Sequence, residues 1–278
     1  MSLWKKSAIL AAASASLVAL AACGGSDPAA PAGPKEESIL TRLVSDAKGS
    51  LQKAVDSATK ANTVTMKMDG KAGSETFQGE GVLVFGDDPK AEISVKSSSA
   101  PDAATKMRII GTVIYIEVPE AERAEMEGKR WMKMDLAAAG GQAGSAFADQ
   151  MDDIDPVRQV KTLLAAESVT VVGEETVNGV QTVHYTVTNP LSTYLGQLDA
   201  ELRKSAEEEL TKQGVKEVKT DLWVDEQYQP RRVHVVTGTA SEVTVDYTDY
   251  GKPATIDAPP AAEVFDFAKA LEGLTTGG

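Results

Sequence analysis

Cys23 is the single cysteine of this 278-residue chain, and its thiol is the side chain most able to form a covalent bond. A lone thiol cannot form an internal disulfide, which leaves metal ligation, nucleophilic catalysis or covalent modification. The residues upstream favour modification. Lys5 and Lys6 are followed by an uncharged apolar run at 7–22. A cationic start and an apolar run shorter than the ~20 residues of a membrane-spanning helix are typical of an export signal.

The residues that end this run, Leu20-Ala21-Ala22-Cys23, resemble the bacterial lipobox, in which one aliphatic and two small residues precede a cysteine. The resemblance implies that the thiol receives a diacylglyceryl group and that cleavage leaves Cys23 as the mature N-terminus. We therefore predict a lipoprotein signal peptide at 1–22 and lipidation at Cys23. Two acyl chains would anchor the protein stably on the extracytoplasmic face of the cell membrane. An ordinary signal peptide with an unrelated cysteine and an uncleaved anchor are the alternatives.

The two histidines, His184 and His234, are the next candidates for chemistry, and each lies in a predicted strand. Metal sites need histidines, cysteines or carboxylates at defined spacing, and the chain has neither His-x-x-x-His nor Cys-x-x-Cys. It also lacks the Gly-x-Ser-x-Gly elbow of serine hydrolases and the phosphate-binding P-loop. We interpret both histidines as ordinary sheet surface and predict no catalytic residue and no cofactor.

An acidic cluster at 149–155 could suggest calcium, since it holds four aspartates. It lacks the Asp-x-Asp-x-Asp-Gly loop that calcium sites of the EF-hand type use. Helix capping and solvation explain these residues better. The sequence therefore predicts no metal site and no enzyme.

The chain is acidic, with a formal net charge of −13. Removal of the signal takes away Lys5 and Lys6 and leaves 26 basic against 41 acidic side chains, a charge of −15. Such a charge argues against nucleic acid as a partner and does not attract the protein to anionic lipid. Residues 23–35 are rich in proline, glycine and alanine and predict a flexible tether. The folded domain is predicted at 36–278.

Apolar residues at three- and four-residue spacing predict a first helix over 36–60, although Gly49 weakens its middle. Alternating segments then predict antiparallel strands at 64–68, 77–85, 93–95, 107–118 and 130–136. A loose segment at 137–151 precedes a second helix, for which Asp155-Pro156 supplies the N-cap and first position. The sequence does not determine whether the segment at 137–151 closes over a binding cavity or is simply a loop.

Further strands are predicted at 169–176 and 180–188, with Asn178-Gly179 as the hairpin turn between them. Asn189-Pro190 is predicted to open a long helix ending near Gly214. Strands at 215–225, 231–238 and 242–250 and a short helix at 264–271 complete the pattern. Long runs of antiparallel strands exclude a doubly wound parallel sheet. We predict a single α+β domain, a strongly curved antiparallel sheet (half-barrel) with helices on its concave face.

Four segments, together with the lipobox, resemble the LppX/LprG-type lipoproteins of actinobacteria (LppX, LprA, LprF and LprG), which have a LolA/LolB-like fold. The segments lie at 113–135, at 177–187 (VNGVQTVHYTV), at 221–236 (DLWVDEQYQPRRVHVV) and at 250–261 (YGKPATIDAPPA). Each motif alone is common in sheets, and their order and spacing carry the resemblance. It implies a lipid-binding domain with a hydrophobic cavity between the sheet and the helices.

The candidate lining of such a cavity consists of residues on the alternating apolar faces of the predicted strands. They are Val64, Met66, Met68, Leu83, Phe85, Val183, Tyr185, Val187, Leu222, Val224, Val233 and Val235. Each of them could equally belong to a core packed beneath the helices. A cavity would bury methylene groups with few polar contacts and would select the head group loosely.

Two functions follow from this pattern. The first is a membrane-anchored exported lipoprotein that binds the acyl chains of a lipid or glycolipid and carries them within the cell envelope. Its partners would be the membrane, through lipidated Cys23, the lipid itself, and a membrane transporter or another envelope protein. The alternative is an envelope protein-interaction or stress-sensing module of the same fold, with a collapsed interior and no lipid cargo.

Overall fold

The computed structural model describes residues 38–86, 89–135, 154–166, 168–196 and 200–267, and the side chains of 102, 200–202 and 205 are not described. The predicted signal peptide and tether, Cys23 and the loose segment at 137–151 lie outside these residues. Among the described residues, no helix combines the length and apolar character needed to cross a membrane.

Five α-helices and twelve strands make up the described part of the domain. The helices are α1 (Ile39–Ser45), α2 (Ala47–Ala61), α3 (Pro156–Ala165), α4 (Leu191–Leu195) and α5 (Ala200–Lys212), with 3₁₀ turns at Glu120–Met126 and Ala261–Glu263. The strands are β1 (Thr63–Ala72), β2 (Glu75–Val84), β3 (Lys90–Ser97), β4 (Ala100–Ile110), β5 (Val113–Glu117), β6 (Trp131–Asp135), β7 (Thr170–Val177), β8 (Val180–Pro190), β9 (Glu217–Asp225), β10 (Pro230–Thr237), β11 (Ser241–Thr248) and β12 (Val264–Asp266).

All twelve strands form one sheet, in the order β12-β6-β5-β4-β3-β2-β1-β11-β10-β9-β8-β7. The first meander runs outward from the centre, from β1 to β6. The second returns from the opposite edge, from β7 to β11, and the two meet where β1 pairs with β11. The sheet is curved and unclosed, and it is antiparallel except for the β12–β6 pair. The predicted α+β half-barrel with helices on its inner face is confirmed.

The predicted helix at 36–60 is two helices, and Asp46 is the residue that divides them. Its backbone N–H bonds to the carbonyl of Arg42 and ends α1, while its carboxylate accepts a hydrogen bond of 3.0 Å from Gly49 N and caps α2. A side chain at position 49 would collide with that carboxylate. Gly49 therefore permits the N-cap. The sequence predicted that this glycine weakens the middle of one helix, whereas it lies in the first turn of a second helix.

Two other predictions are corrected near the ends of strands. A helix does begin directly after Asn189-Pro190, as predicted, but it is the short α4 with Pro190 at its N-cap and no side-chain cap bond, because Asn189 belongs to β8 and pairs with Val218. It ends at Leu195, and α5 is a separate helix. The predicted helix at 264–271 is wrong over Val264–Asp266, because this segment pairs with β6 in parallel and Asp266 forms an ion pair with Lys133. Residues 268–271 lie outside the description.

Two buried tyrosines attach the helices to the inner face of the sheet. The hydroxyl of Tyr185 on β8 donates to the carbonyl of Leu43 in α1 at 2.7 Å. The hydroxyl of Tyr247 on β11 donates to the carbonyl of Ile154 at 3.0 Å, just before α3. Burial raises the pKa of Tyr185, so the phenol stays protonated and remains a donor. These bonds fix where α1 and α3 sit along the strands.

Candidate functional site

Alternation along the strands divides the sheet into an inner apolar face and an outer polar face. On β8, Val183, Tyr185 and Val187 are buried inside, while His184 and Thr186 lie on the other face. This division agrees with the predicted alternation of 180–188, because successive strand residues point to opposite sides. Whether the inner face can hold a ligand therefore depends on how much of it the helices cover.

One part of the inner face is filled by a packed core. Helix α2 contributes Leu51, Ala54 and Ala58, and helix α3 contributes Val160 and Leu163, all of them fully buried. They pack against strand residues of the same cluster, which include nine of the predicted cavity candidates: Val64, Met66, Leu83, Val183, Tyr185, Val187, Leu222, Val224 and Val233. For the first eight of these, the structure shows the packed core that the sequence left open as the alternative; Val233 belongs to the core and also faces the cavity described next.

A cavity of about 430 Å³ lies between helix α3, helix α4 and another part of the inner face. Its strand walls are mainly apolar, and its helical side is more polar. The lining residues are Met68, Phe77, Ile93, Val95, Met107, Ile154, Arg158, Gln159, Thr162, Asn189, Tyr194, Val218, Thr220, Val233, Val235, Thr237, Ser241, Val243 and Val245. The volume falls within the roughly 300–1,000 Å³ typical of ligand pockets.

Two glycines let the side chains of two lining residues lie flat on the neighbouring strand. A Cβ added to Gly79 would come within 2.7 Å of Cε of Met68, and one added to Gly70 would come within 2.7 Å of Cζ of Phe77. Both side chains therefore lie across the bare backbone of a glycine on the neighbouring strand. Met68 and Phe77 occupy the space that a side chain at Gly79 or Gly70 would take. They therefore project less far into the cavity.

Three of the twelve predicted candidates line this cavity, namely Met68, Val233 and Val235. Phe85 lies elsewhere, in a cleft between Asn62 and the segment 254–257. The sequence analysis missed most of the lining. Ile93, Val95, Val243 and Val245 carry the same alternating signal as the candidates, but alternation does not tell which end of a strand the helices leave open. The polar lining residues of α3 carried no sequence signal for a cavity.

On the outer face, a row in which carboxylates alternate with histidine and lysine side chains crosses five neighbouring strands and the edge strand β7. His184 lies between Glu175, 2.9 Å from its Nδ1, and Asp221, 2.9 Å from its Nε2. His234 continues the row between Asp221, at 3.6 Å, and Glu242, at 3.2 Å. Lys71 completes it with a 2.7 Å ion pair to Glu242. The two histidines therefore belong to a cross-strand network, which sequence reasoning did not foresee because its members are far apart in the chain.

Asp221 is the buried centre of this network, with its side chain 2% exposed. Burial alone would raise the pKa of its carboxyl group, but hydrogen bonds from Lys219 and His184, each at 2.9 Å, outweigh it and hold the pKa below its usual range. Hydrogen bonds from Trp223 and His184 likewise lower the pKa of Glu175. Within the described ranges, no three or more histidine, cysteine or carboxylate side chains are arranged to hold a metal ion.

Comparison with known proteins gives relatives in Streptomyces. No protein-family model matches the chain. A 31.2 kDa protein of Streptomyces griseus from the rplA–rplJ intergenic region is 32% identical over 188 residues, which cover 63% of this chain and 61% of that relative. The match thus spans less than two thirds of that relative's length. A Streptomyces coelicolor protein named as a predicted lipoprotein is 28% identical over 302 aligned positions and 96% of each chain.

Two solved structures share the architecture. Lipoprotein LppX of Mycobacterium tuberculosis matches with a TM-score of 0.50 and 12% identity, over 76% of this chain and 97% of LppX. LprF from Mycobacterium bovis matches with a TM-score of 0.51 and 14% identity, over 78% of this chain and 98% of LprF. The chain has the fold of these proteins, which confirms the predicted resemblance at the level of fold.

Proposed function

We propose that this protein is an exported lipoprotein, anchored to the cell membrane through Cys23, that holds acyl chains of a lipid or glycolipid in its inner cavity. It carries them within the cell envelope and exchanges them with the membrane, a transporter or another envelope protein. The observation that carries the proposal is the cavity of about 430 Å³ between α3 and the strands.

The chemistry of the cavity wall supports an acyl ligand. Its strand side presents valine, isoleucine, methionine and phenylalanine side chains, with no charged residue among the described strand residues of the lining. Each methylene group moved from water to such a surface contributes about 0.8 kcal/mol. Met68 and Met107 are unbranched and adaptable, which suits chains of varied shape. A long apolar chain is therefore the ligand class that this wall favours.

The anchor and the fold support the location. Leu20-Ala21-Ala22-Cys23 carries the lipobox pattern, a Streptomyces relative is named as a predicted lipoprotein, and LppX, whose fold the chain shares, is a lipoprotein. An acylated Cys23 would keep the domain within reach of membrane lipid. The protein-interaction alternative expects a collapsed interior, so the cavity favours the carrier over it.

A photocrosslinking experiment on the full chain tests the proposal. Cells expressing the protein are fed a fatty acid that carries a diazirine and an alkyne, irradiated, and the labelled peptides are identified by mass spectrometry. We expect labels on peptides from β3, β10 and β11, whose inward residues line the cavity. Val235→Trp should reduce this labelling severalfold, because the larger side chain occupies the cavity.

Val236→Trp provides the matched control. Val236 is the next residue of the same strand, and it lies on the outer face opposite Lys219 and Glu242. Its substitution should leave labelling unchanged. Equal labelling of both variants, or labels confined to peptides remote from the cavity, would contradict acyl binding at this site. A chain that takes up no label outside the peptide of acylated Cys23 would favour the protein-interaction alternative.

A further inference from the structure

The inner face of the sheet changes from apolar to polar at one end of the cavity. Four polar inward residues of the neighbouring strands β8 to β11 line the cavity here: Asn189, Thr220, Thr237 and Ser241. Asn189 stands opposite Val218, and Thr220, the next inward residue of β9, stands between Val187 and Val235. Thr237 and Ser241 stand opposite each other in the ladder. We name these four residues the polar collar.

Three of the four collar residues are buried, although Asn189 and Thr237 lie close to the ends of their strands. Asn189, Thr220 and Thr237 are 8%, 4% and 7% exposed. On the next inward position of β10, Val235 continues the apolar wall, and Thr220 pairs with it. Placing amide and hydroxyl groups beside an apolar space is costly unless a hydrogen-bonding group meets them there.

Helix α3 brings further polar groups to the same cavity. Gln159, which is 7% exposed, and Thr162 both line it, and the hydroxyl of Thr162 donates to the carbonyl of Arg158 at 3.1 Å. The four collar residues are uncharged, and their amide and hydroxyl groups both donate and accept hydrogen bonds. The collar can donate to a neutral carbonyl and holds no positive charge itself; the cationic residue of the described lining, Arg158, lies on α3 and not in the collar.

We infer that the polar collar binds the ester or amide carbonyl through which acyl chains are joined to a lipid head group. The inference rests on the proposed function and deepens it. The ligand is then an acylated lipid whose linkage lies inside the cavity, and its chains extend along the apolar wall formed by Val95, Val233 and Val245. A free hydrocarbon, an ether lipid or a free fatty acid lacks the group that the collar recognises.

The test compares two competitors that differ only in this carbonyl. The full lipidated protein is placed in nanodiscs made entirely of diether phospholipid, and its cavity is photolabelled with a diazirine-bearing hydrocarbon that has no carbonyl. Dipalmitoylglycerol and its dialkyl ether analogue are then titrated in. We expect the ester to halve the labelling at about tenfold lower concentration than the ether, the ratio expected of one or two hydrogen bonds.

Two near-isosteric variants assign this preference to the collar. Thr220→Val and Asn189→Leu should retain hydrocarbon labelling but bring the ester-to-ether ratio close to one. Thr188→Val, at an exposed position on the outer face of β8, should leave the ratio unchanged. Thermal unfolding of each variant checks that it is folded, and the ratio is compared only among folded proteins.

The outcomes separate this inference from the proposed function. Equal displacement by ester and ether in the unchanged protein overturns the collar and leaves acyl binding in place. Stronger displacement by palmitate, lost in Arg158→Gln, overturns it in favour of a carboxylate ligand. If the hydrocarbon probe does not label the cavity peptides at all, the proposed function itself fails.

Discussion

The imidazole of His184 lies flat against the indole of Trp223, with ring centroids 4.2 Å apart and ring planes inclined by 16°. One carboxylate holds both rings. Oε1 of Glu175 lies 2.9 Å from Nδ1 of His184, and Oε2 accepts a 2.7 Å hydrogen bond from Nε1 of Trp223. Since Glu175 belongs to the edge strand β7, this triad joins the edge of the sheet to β8 and β9 on the outer face.

Trp223→Phe should raise the pKa of Glu175. The indole N–H is the largest cause of the lowered pKa of this carboxyl group, and phenylalanine keeps an aromatic ring for stacking but cannot donate. Carboxyl carbon NMR of ¹³C-glutamate-labelled protein, titrated through the acid range, measures the change. Trp131→Phe is the control, because Trp131 lies on β6, towards the opposite end of the strand order from β9 and β7. An unchanged Glu175 titration in Trp223→Phe would refute this account.

Asp221→Asn should make the protein less stable at neutral pH and flatten its response to acid. The folded-state pKa of Asp221 lies below its usual value of about 3.9, so its ionised form stabilises the fold above that pH. This stability is lost as the pH falls through the lower folded-state pKa. We expect a loss of about 2 kcal/mol at pH 7, as for hydrogen bonds to a buried charged group.

Unfolding free energies measured between about pH 2 and pH 6 test this prediction. The difference between Asp221→Asn and the unchanged protein should shrink towards the acid end. Asp249→Asn is the matched control, since Asp249 is 40% exposed and pairs with Lys252 at the surface. Its effect should stay within about 0.5 kcal/mol. A constant difference across the pH range would mean that ionisation of Asp221 contributes nothing.

Gly79→Ala should reduce acyl uptake with little change in stability. The added methyl group meets the flexible end of Met68, which can move into the cavity and occupy part of it. Photolabelling by the diazirine fatty acid should fall severalfold, while the unfolding free energy changes by less than about 1 kcal/mol. Undiminished labelling would show that Met68 does not limit the space available.

Gly81→Ala, at the next inward position of β2, should instead destabilise the fold. Its methyl group would lie 2.5 Å from the backbone carbonyl of Glu92 and 3.1 Å from Cα of Ile93, and backbone atoms cannot swing aside. We expect a loss of roughly 1–3 kcal/mol in chemical denaturation. A stability equal to that of Gly79→Ala would show that strands β2 and β3 separate easily at this point.

Cys23→Ala should release the protein from the membrane or leave it as an uncleaved precursor. Without the thiol no diacylglyceryl group can be attached, and the processing expected at a lipobox depends on that group. Membrane fractionation and the mass of the N-terminal peptide report the outcome. Ser26→Ala, three residues further on, is the control and should leave both unchanged. A cleaved Cys23→Ala protein that stays on the membrane would contradict the lipoprotein assignment.

The amino-acid sequence by itself determined the faces of the strands, the hairpin at Asn178-Gly179 and the cap at Asp155-Pro156, because these depend on neighbours within a few residues. It also predicted the curved antiparallel sheet, since long runs of alternating strands permit few architectures. The lipidation of Cys23 stays a prediction of the sequence alone.

Only the tertiary structure decided where the inner face is filled and where it is open. Alternation with period two fixes the face of a side chain, but it carries no information on how deep along the strand a helix from elsewhere in the chain will lie. Tyr185 therefore looked like a cavity residue, whereas its hydroxyl holds α1 against the sheet and makes it part of the core. The polar collar and the His184–Trp223 stack arise in the same way, from the pairing of β8 with β9, and for the collar also of β9 with β10 and β10 with β11.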